Sequence, residues 1–251
     1  MLWRQKIAEW MFKVIDFFDL ERDIVNVAMT YLDRMLSLSI HRLGRNQCCL
    51  LAMACLKLAI KLLEPRTLNM VDMIKIGLTS RAFSREQMVH MENTILFTLN
   101  WDVLPATTIE FAHNMICLLP SDVPKSTRYV VQELSKYMSE LAICVYKLIE
   151  LKPSVKAFAI VSVAIESLNA SIAVSTESQC IFAMRIFDTF EMWPDDDEIS
   201  MLKEELNHLL HHNTNVTEFV KLILSSHKEE ELTVSESPKS VAVNAYASTS
   251  I

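Results

Sequence analysis

Two lysines inside an otherwise apolar run are the residues whose spacing first suggests chemistry. From Cys48 to Leu63 every residue is apolar except Lys57 and Lys61, which are four apart and therefore share one helix face. A helix that is apolar on nearly all its other faces is buried by its neighbours. An ammonium group beside an acid and an apolar strip can hydrogen-bond the backbone of a partner segment. The lysines alone leave two interpretations open: a binding contact, or a solvated pair beside core leucines.

A second group of residues has the spacing of metal ligands. Its members are Glu204, His208, His211 and His212. The i, i+3 and i+4 spacings would place their side chains on one helix face, but such groups are most often solvated helix surface, so we predict no metal. His90 and His113 stand alone on predicted helices, without a nucleophile or base beside them. The sequence therefore predicts no catalytic residue and no cofactor.

Composition excludes several functional classes. Gly44 and Gly77 are the only glycines in 251 residues, too few for a P-loop, a dinucleotide fingerprint or a nucleophile elbow. None of the six cysteines has C-x-x-C spacing, so we interpret them as reduced core residues of an intracellular protein. Formal charge is +2 over residues 1–106 and −9 over 107–251, without a dense basic face for nucleic acid. No run of about 18 uncharged apolar residues predicts a membrane span.

Helices must position these residues, because the helical period recurs along almost the whole chain. The predicted helices are 3–18, 20–37, 45–63, 69–76, 85–99, 108–119, 125–151, 154–171, 176–191, 196–212 and 216–226. Ser84 with Gln87, and Thr107 with Glu110, form capping boxes that begin two of them. Pro105 breaks the pattern between the fifth and sixth helices. Five helices, a break and five more predict an all-α fold made of a duplicated unit, followed by one further helix.

The break at Pro105 sets the domain organisation. We predict a first domain over 1–105, a second over 106–226 and a tail over 227–251. The tail is polar, acidic and aperiodic, so we expect it to be disordered. Its Pro/Ser/Thr-containing acidic stretch resembles a PEST segment, and Ser237, which precedes a proline, is a candidate phosphosite. A solubilising acidic tail is the equal alternative.

Four stretches together resemble the cyclin box, in that order and at suitable spacing. They are WRQKIAEWM (3–11), AMTYLDRMLSL (28–38), LKLAIKLLE (56–64) and HMENTILFTLNWDV (90–103). The resemblance covers residues 3–110 well and is similar in detail to D-type cyclins, whereas 111–222 agrees at the level of helix count. It implies two tandem five-helix cyclin-box folds plus one extra C-terminal helix. It also implies a non-catalytic subunit that binds and activates a cyclin-dependent kinase in cell-cycle control.

The resemblance assigns a role to one of the two lysines. Lys61 stands where cyclins have the lysine that contacts the kinase, and Glu92 stands where they have its acidic companion. The apolar strip between them is, by the same correspondence, Leu58, Leu62, Leu96 and Trp101. Lys57 has no such counterpart, and we interpret it as a neighbour that extends towards solvent. The predicted partner surface is therefore a Lys–Glu pair flanking an apolar strip.

Arg4 and Asp33 match a second pair of the cyclin box. Both lie among apolar residues, on helices that should pack together. We interpret them as a partly buried structural ion pair that orients the first helix on the second, rather than as a ligand site.

Trp3, Ile7 and Trp10 match the patch with which some cyclins dock R-x-L substrates or inhibitors. The match is partial, because Cys49 replaces a polar position of that patch and Lys13 replaces an acidic one. An acidic residue is what would receive a basic peptide, so burial of Trp10 in the core is an equal interpretation.

Two alternatives to a cell-cycle subunit compete with it. A transcription-type cyclin-box protein would work in a transcription kinase or initiation complex, and its DNA-binding relatives would add a zinc ribbon and a basic face, which this sequence lacks. An all-α enzyme would show convergent acids in a pocket, and none can be assigned. We expect no direct nucleic-acid or membrane partner, and a nuclear or cytoplasmic location.

Overall fold

The chain folds into helices throughout the part that the structure describes. This computed structural model describes residues 2–38, 44–64, 83–168, 172–191 and 197–235, with side chains from residue 3 to residue 226. Within these ranges there are ten α-helices and no strand, as predicted. They are α1 (Leu2–Phe17), α2 (Asp23–Leu38), α3 (Arg45–Leu63), α4 (Arg85–Thr98), α5 (Thr108–Cys117), α6 (Lys125–Cys144), α7 (Pro153–Glu166), α8 (Thr176–Phe190), α9 (Asp197–Asn213) and α10 (Val216–Ser235). The helix predicted over 69–76 lies outside the described residues.

The first half is built around α3, which packs between α2 and α4. Ala52, Cys55 and Ala59 are fully buried on it, and such small side chains let neighbouring helices approach closely. By length and apolar composition α3 would also suit a membrane span, but core helices pass the same test, and 50% of its apolar window is buried. Its surroundings in the structure are those of a core helix.

The second half repeats this plan around α7, which packs against α5, α6 and α9. Pro153 occupies the first helical position, where its missing N–H removes no hydrogen bond. Ala157, Ile160 and Ala164 are fully buried on α7, as their equivalents are on α3. Each half has its own hydrophobic core. The duplicated all-α unit with one added helix is confirmed.

Helix α6 of the second half docks on α1 and α2 of the first. Nη1 of Arg4 donates a hydrogen bond to the backbone carbonyl of Ile143 on α6. Nη2 of Arg22 lies 3.0 Å from Oε2 of Glu140, also on α6. Burial raises the pKa of the Glu140 carboxyl, and the Arg22 guanidinium opposes that rise. Two arginines, Arg4 near the start of α1 and Arg22 in the connection between α1 and α2, thus join the first half to α6 of the second.

Helix α6 ends earlier than the predicted helix 125–151. It stops at Cys144, Val145 is extended, and Tyr146–Leu148 forms a 3₁₀ turn that buries Leu148. The last carbonyls of a helix have no intrahelical partner. Arg4 occupies one of them, on Ile143. The end of α6 is thus hydrogen-bonded by a residue that is 139 positions away in the sequence. The helical period of the segment itself does not indicate such a contact.

Two other helix limits differ from prediction. Helix α2 begins at Asp23 rather than at residue 20. Leu20 instead belongs to the connection between α1 and α2, where its side chain is buried in the core. Helix α10 runs to Ser235, so residues 227–235 are helical rather than part of a disordered tail. Glu, Lys and Leu in that stretch are strong helix formers. The rest of the predicted tail, 236–251, lies outside the described residues.

Candidate functional site

Three charged side chains meet where α3 packs against α4. Nζ of Lys61 donates a hydrogen bond of 2.6 Å to Oε2 of Glu92. Nζ of Lys57 lies 2.6 Å from the other carboxylate oxygen, Oε1, as an ion pair that lacks hydrogen-bond geometry. Glu92 is buried, Lys57 is nearly so at 12% side-chain exposure, and Lys61 is half exposed at 49%. We call Lys57, Glu92 and Lys61 the charge cluster.

The charge cluster gives its two lysines different roles. A buried carboxylate is costly unless it is paired, and the more buried Lys57 supplies that compensation from inside. Lys61 approaches the same carboxylate from the solvent side, where a partner can reach it. The interpretation of Lys57 as a solvent-directed neighbour is therefore wrong. Its i, i+4 spacing to Lys61 was the signal that both would reach one acid.

The predicted apolar strip is divided between core and surface. Leu58 is buried in the first core, so its predicted place on the exposed strip is wrong. Leu96 is partly buried and packs against the same core. Leu62 and Trp101 are exposed, Trp101 at 61%. Leu58 and Leu96 thus belong to the core side of the strip, and Leu62 and Trp101 are the two members that a partner could contact.

An aromatic pair extends this surface beyond the predicted residues. Phe97, 69% exposed, packs edge to face on Trp101 with ring centroids 6.0 Å apart. Leu104 is also exposed nearby in sequence. Neither Phe97 nor Leu104 was among the predicted partner residues, although Phe97 stands one helical turn before Trp101. We call these four exposed apolar residues of the first half the apolar face: Leu62, Phe97, Trp101 and Leu104.

The backbone that presents Trp101 is unusual. Asn100 and Trp101 both have left-handed φ values, 51° and 60°. Asparagine tolerates this region, but a bulky side chain there costs on the order of 1–2 kcal/mol. The N–H of Trp101 donates to the carbonyl of Leu96 over 2.9 Å, which closes the end of α4. Such a conformation persists only when its surroundings determine it.

Helix α2 supplies those surroundings. Arg34 donates from Nη1 to the carbonyl of Asp102 and from Nη2 to its carboxylate, each over 2.9 Å. The hydroxyl of the fully buried Tyr31 donates to the carbonyl of Val103. Burial raises the pKa of Tyr31 to about 12, so this donor keeps its proton at any physiological pH. The segment that carries Trp101 is therefore anchored to α2 at two successive residues.

Arg4 and Asp33 form the predicted structural ion pair. Nε and Nη2 of Arg4 donate to the two carboxylate oxygens of Asp33 over 2.9 and 2.7 Å, a bidentate arrangement. Both side chains are largely buried. The third bond of Arg4, to Ile143, was not predicted and makes the pair a link between the halves.

The predicted docking patch is not assembled as a surface. Ile7 and Trp10 are buried in the first core, and only Trp3 of the three is exposed, at 44%. The aromatic and branched side chains of α1 that belong to this core are buried where α1 packs against its neighbouring helices, among them α2. The assignment of Ile7 and Trp10 to an exposed substrate-docking patch is therefore wrong, and the alternative core interpretation of Trp10 is the correct one, whereas the assignment of Trp3 stays a prediction.

The remaining candidates carry no site in the described residues. His208 and His212 stack with ring centroids 6.2 Å apart. Over the described ranges no group of three or more His, Cys, Asp or Glu could hold a metal ion. Ser237 lies outside them, so its phosphorylation stays a prediction.

Comparison with known proteins assigns the class. The family of the cyclin N-terminal domain matches residues 2–104, the range that holds the charge cluster, the apolar face and the Arg4–Asp33 pair. Residues 2–104 thus belong to the cyclin N-terminal domain family, and the chain is similar to cyclins over most of its length.

Curated relatives agree at modest identity. Cyclin-A3-2 of Oryza sativa subsp. japonica is 29% identical over 161 residues, which are 64% of this chain and 40% of the relative. G1/S-specific cyclin-D1 of Xenopus laevis is 25% identical over 210 residues, 82% of this chain and 68% of the relative. The D1 relatives agree with the predicted likeness to D-type cyclins, and G2/mitotic-specific cyclin-B2 of Oryzias luzonensis matches at a similar 27%.

Solved structures show the same fold. A viral cyclin from herpesvirus saimiri superposes with a TM-score of 0.64 at 16% identity, covering 82% of this chain and 83% of that one. A chain of the CAK complex from Chaetomium thermophilum superposes with a TM-score of 0.54 at 14% identity, covering 97% and 80%. The yeast RNA polymerase II CTD kinase complex CTDK-1 gives 0.53 at 14% identity, covering 80% and 74%.

Proposed function

We propose that this chain binds and activates a cyclin-dependent protein kinase as a non-catalytic regulatory subunit in cell-cycle control. The observation that carries the proposal is a half-exposed lysine, Lys61, that is fixed on a buried acid, in the same half of the chain as an exposed aromatic pair. This combination supplies direction through charge and affinity through apolar area. Relatives named for the G1/S and G2/mitotic phases support the cell-cycle role.

The charge cluster acts through the free donors of Lys61. An ammonium group has three N–H donors, and Glu92 accepts one of them from Lys61. The half-exposed ammonium group directs the others at carbonyl oxygens of the kinase, such as those at a helix end. Glu92 is buried, so it positions Lys61 instead of contacting the kinase itself. This revises the predicted role of Glu92 from a contact to a support.

The apolar face supplies most of the affinity. Aromatic residues at the centre of an interface typically lose about 2–4 kcal/mol of binding free energy when truncated. Trp101 is held in its position before binding by α2, so little conformational entropy is lost when the kinase covers it. Because the chain binds the active arrangement of the kinase more tightly than the inactive one, binding shifts the kinase towards activity.

The test is a binding and activation assay with a matched control. Lys61→Ala with Glu92→Ala removes the charge cluster's exposed contact and its support. Glu166→Ala with Lys203→Ala removes the corresponding ion pair of the second half, 2.5 Å long, and leaves net charge equally unchanged. The recombinant chain is used to capture kinases, which are identified by mass spectrometry and assayed on a proline-directed peptide.

We expect the first double variant to lose on the order of 2–4 kcal/mol of kinase binding free energy and the control variant to bind normally. Both should keep their helical circular dichroism. Equal capture and activation by the two variants would remove the proposed face. Capture of a kinase of the transcription machinery instead would transfer the proposal to the transcription-type alternative.

A further inference from the structure

A cleft of about 360 Å³ separates the two halves on the side of the Arg4–Asp33 pair. Helices α1 and α2 form one wall, and α6, the 3₁₀ turn and the start of α7 form the other. Its walls are mostly apolar and include Met29, Leu148 and Leu151. The volume lies at the lower end of the range for small-molecule sites.

One cation in this cleft has no carboxylate of its own. Lys156, in the first turns of α7, lines the cleft and is half buried. Among the described residues, Asp33 is the one carboxylate that acts on Lys156, and both of its oxygens already accept hydrogen bonds from Arg4. Burial, with Arg4 adding to it, lowers the pKa of Lys156. An anion in the cleft would compensate this lysine directly.

A buried hydroxyl adds a second unused polar group. Ser139 lines the same cleft from α6 and is 2% exposed. Its Oγ has no hydrogen-bond partner among the described residues. Buried polar groups without partners are rare in native structures and call for a physical explanation.

Two helix N-termini complete the electrostatics. The starts of α5, at Thr107 and Thr108, and of α7, at Pro153, both line the cleft. Thr107 caps α5 with its side chain, whereas the start of α7 has no side-chain cap. Uncapped N–H groups carry partial positive charge that favours an anion. The cleft therefore combines positive potential at one end with apolar walls.

We propose that this cleft binds a small organic acid, with its carboxylate at Lys156 and Ser139 and its apolar body between the walls. The proposal is independent of kinase binding. Because the ligand would contact both halves, its binding would raise the melting temperature of the whole chain by mass action.

The test uses acids and their matched neutral amides as probes on the full chain. Acetate, phenylacetate and 1-naphthylacetate are each titrated against acetamide, phenylacetamide and 1-naphthylacetamide by calorimetry and saturation-transfer NMR. We expect at least one aryl acid to bind about tenfold or more tightly than its amide, as a charge-assisted hydrogen bond requires.

Variants then locate the contact. Lys156→Met keeps the length of the side chain and removes the charge, and it should reduce acid affinity to that of the amide. Lys152→Met, one turn earlier and outside the cleft lining, makes the same change in net charge and should leave affinity unchanged. Ser139→Ala should weaken the acid by roughly threefold. If Lys156→Met does not fold by circular dichroism, Lys156→Gln takes its place.

Three results would overturn the proposal. Acids that bind no better than their amides would show that the cleft does not select an anion. Acid binding that survives Lys156→Met would place the anion elsewhere. Phenyl phosphate binding more tightly than every acid would show that the site is built for a phosphate instead of a carboxylate.

Discussion

The central helices of the two halves, α3 and α7, are surrounded alike but charged differently. Each ends near an ion pair to the last helix of its own unit: Lys61 to Glu92 in the first half, and Glu166 to Lys203 in the second. The acid and the base have exchanged helices. In the first half the acid is buried and has a second lysine, whereas Glu166 is 51% exposed. The same architecture thus supports a constrained cluster in one unit and an ordinary surface pair in the other.

The two halves share their core architecture and differ in the charged and exposed side chains that lie on it. Both cores are built from the same kinds of apolar side chain. Two features that distinguish the first half are the second lysine on its buried acid and an exposed aromatic pair. Four predictions test this contrast, from the largest expected effect to the smallest.

The largest effect on the free energy of unfolding should follow from removing the carboxylate of the Arg4–Asp33 pair, because Arg4 also links the two halves. Asp33→Ala leaves the buried Arg4 without its carboxylate, and we expect a loss of about 3 kcal/mol in the free energy of unfolding. Urea denaturation followed by circular dichroism measures it. Asp102→Ala, which removes the exposed partner of Arg34, is the control and should lose less than about 1 kcal/mol. Superimposable curves for Asp33→Ala and the parent would contradict a buried pair.

The apolar face should account for the next largest effect. Trp101→Ala should weaken kinase binding by about 2–4 kcal/mol, because it removes the anchored ring and uncovers Phe97. Tyr146→Ala removes an exposed aromatic ring in the second half and should change affinity little. Surface plasmon resonance with the captured kinase gives both values. Similar losses for the two variants would mean that the contrast between the halves is not functional.

The two lysines of the charge cluster should separate stability from binding. Lys57→Met should lower the free energy of unfolding by about 1–3 kcal/mol, since Glu92 loses its buried partner. Lys61→Met should lower stability less and kinase affinity more. Paired urea and binding measurements on the two variants decide the matter, and the reverse order would refute the assigned roles.

The smallest effect is expected in the second half. Glu166→Ala should change the free energy of unfolding by less than about 1 kcal/mol, as exposed pairs usually do. Differential scanning calorimetry of this variant beside Lys57→Met compares the two halves directly. A loss as large as that of Lys57→Met would erase the distinction between the two pairs.

Local signals predicted local structure well. The capping boxes of Ser84 with Gln87 and of Thr107 with Glu110 are present, because each depends on residues within one turn. The fold and the Arg4–Asp33 pair followed from the resemblance to the cyclin box, and the geometry of that pair in the structure agrees with it. The resemblance also singled out Lys61 and Glu92, but as two contacts to the kinase, whereas in the structure they pair with each other.

What escaped prediction depends on contacts distant in sequence. Leu58 is buried by neighbouring helices, which a helix's own periodicity cannot reveal. The pairing of Lys57 with Glu92 required the register of α3 against α4. The residue at which α6 ends could not be predicted from the sequence of α6 alone, because the guanidinium of Arg4 hydrogen-bonds the carbonyl of Ile143.

That last contact sets an order of events during synthesis. The first half can form most of its core, including the bond from Tyr31 to Val103, before Ile143 and Cys144 of α6 exist to pack against it. Arg4 can then hold Asp33, but Nη1 waits for the carbonyl of Ile143, 40 residues later. At roughly 5–20 residues per second, translation leaves that donor facing water for about 2–8 s. The nascent first half thus stays open to other acceptors until its own second half arrives.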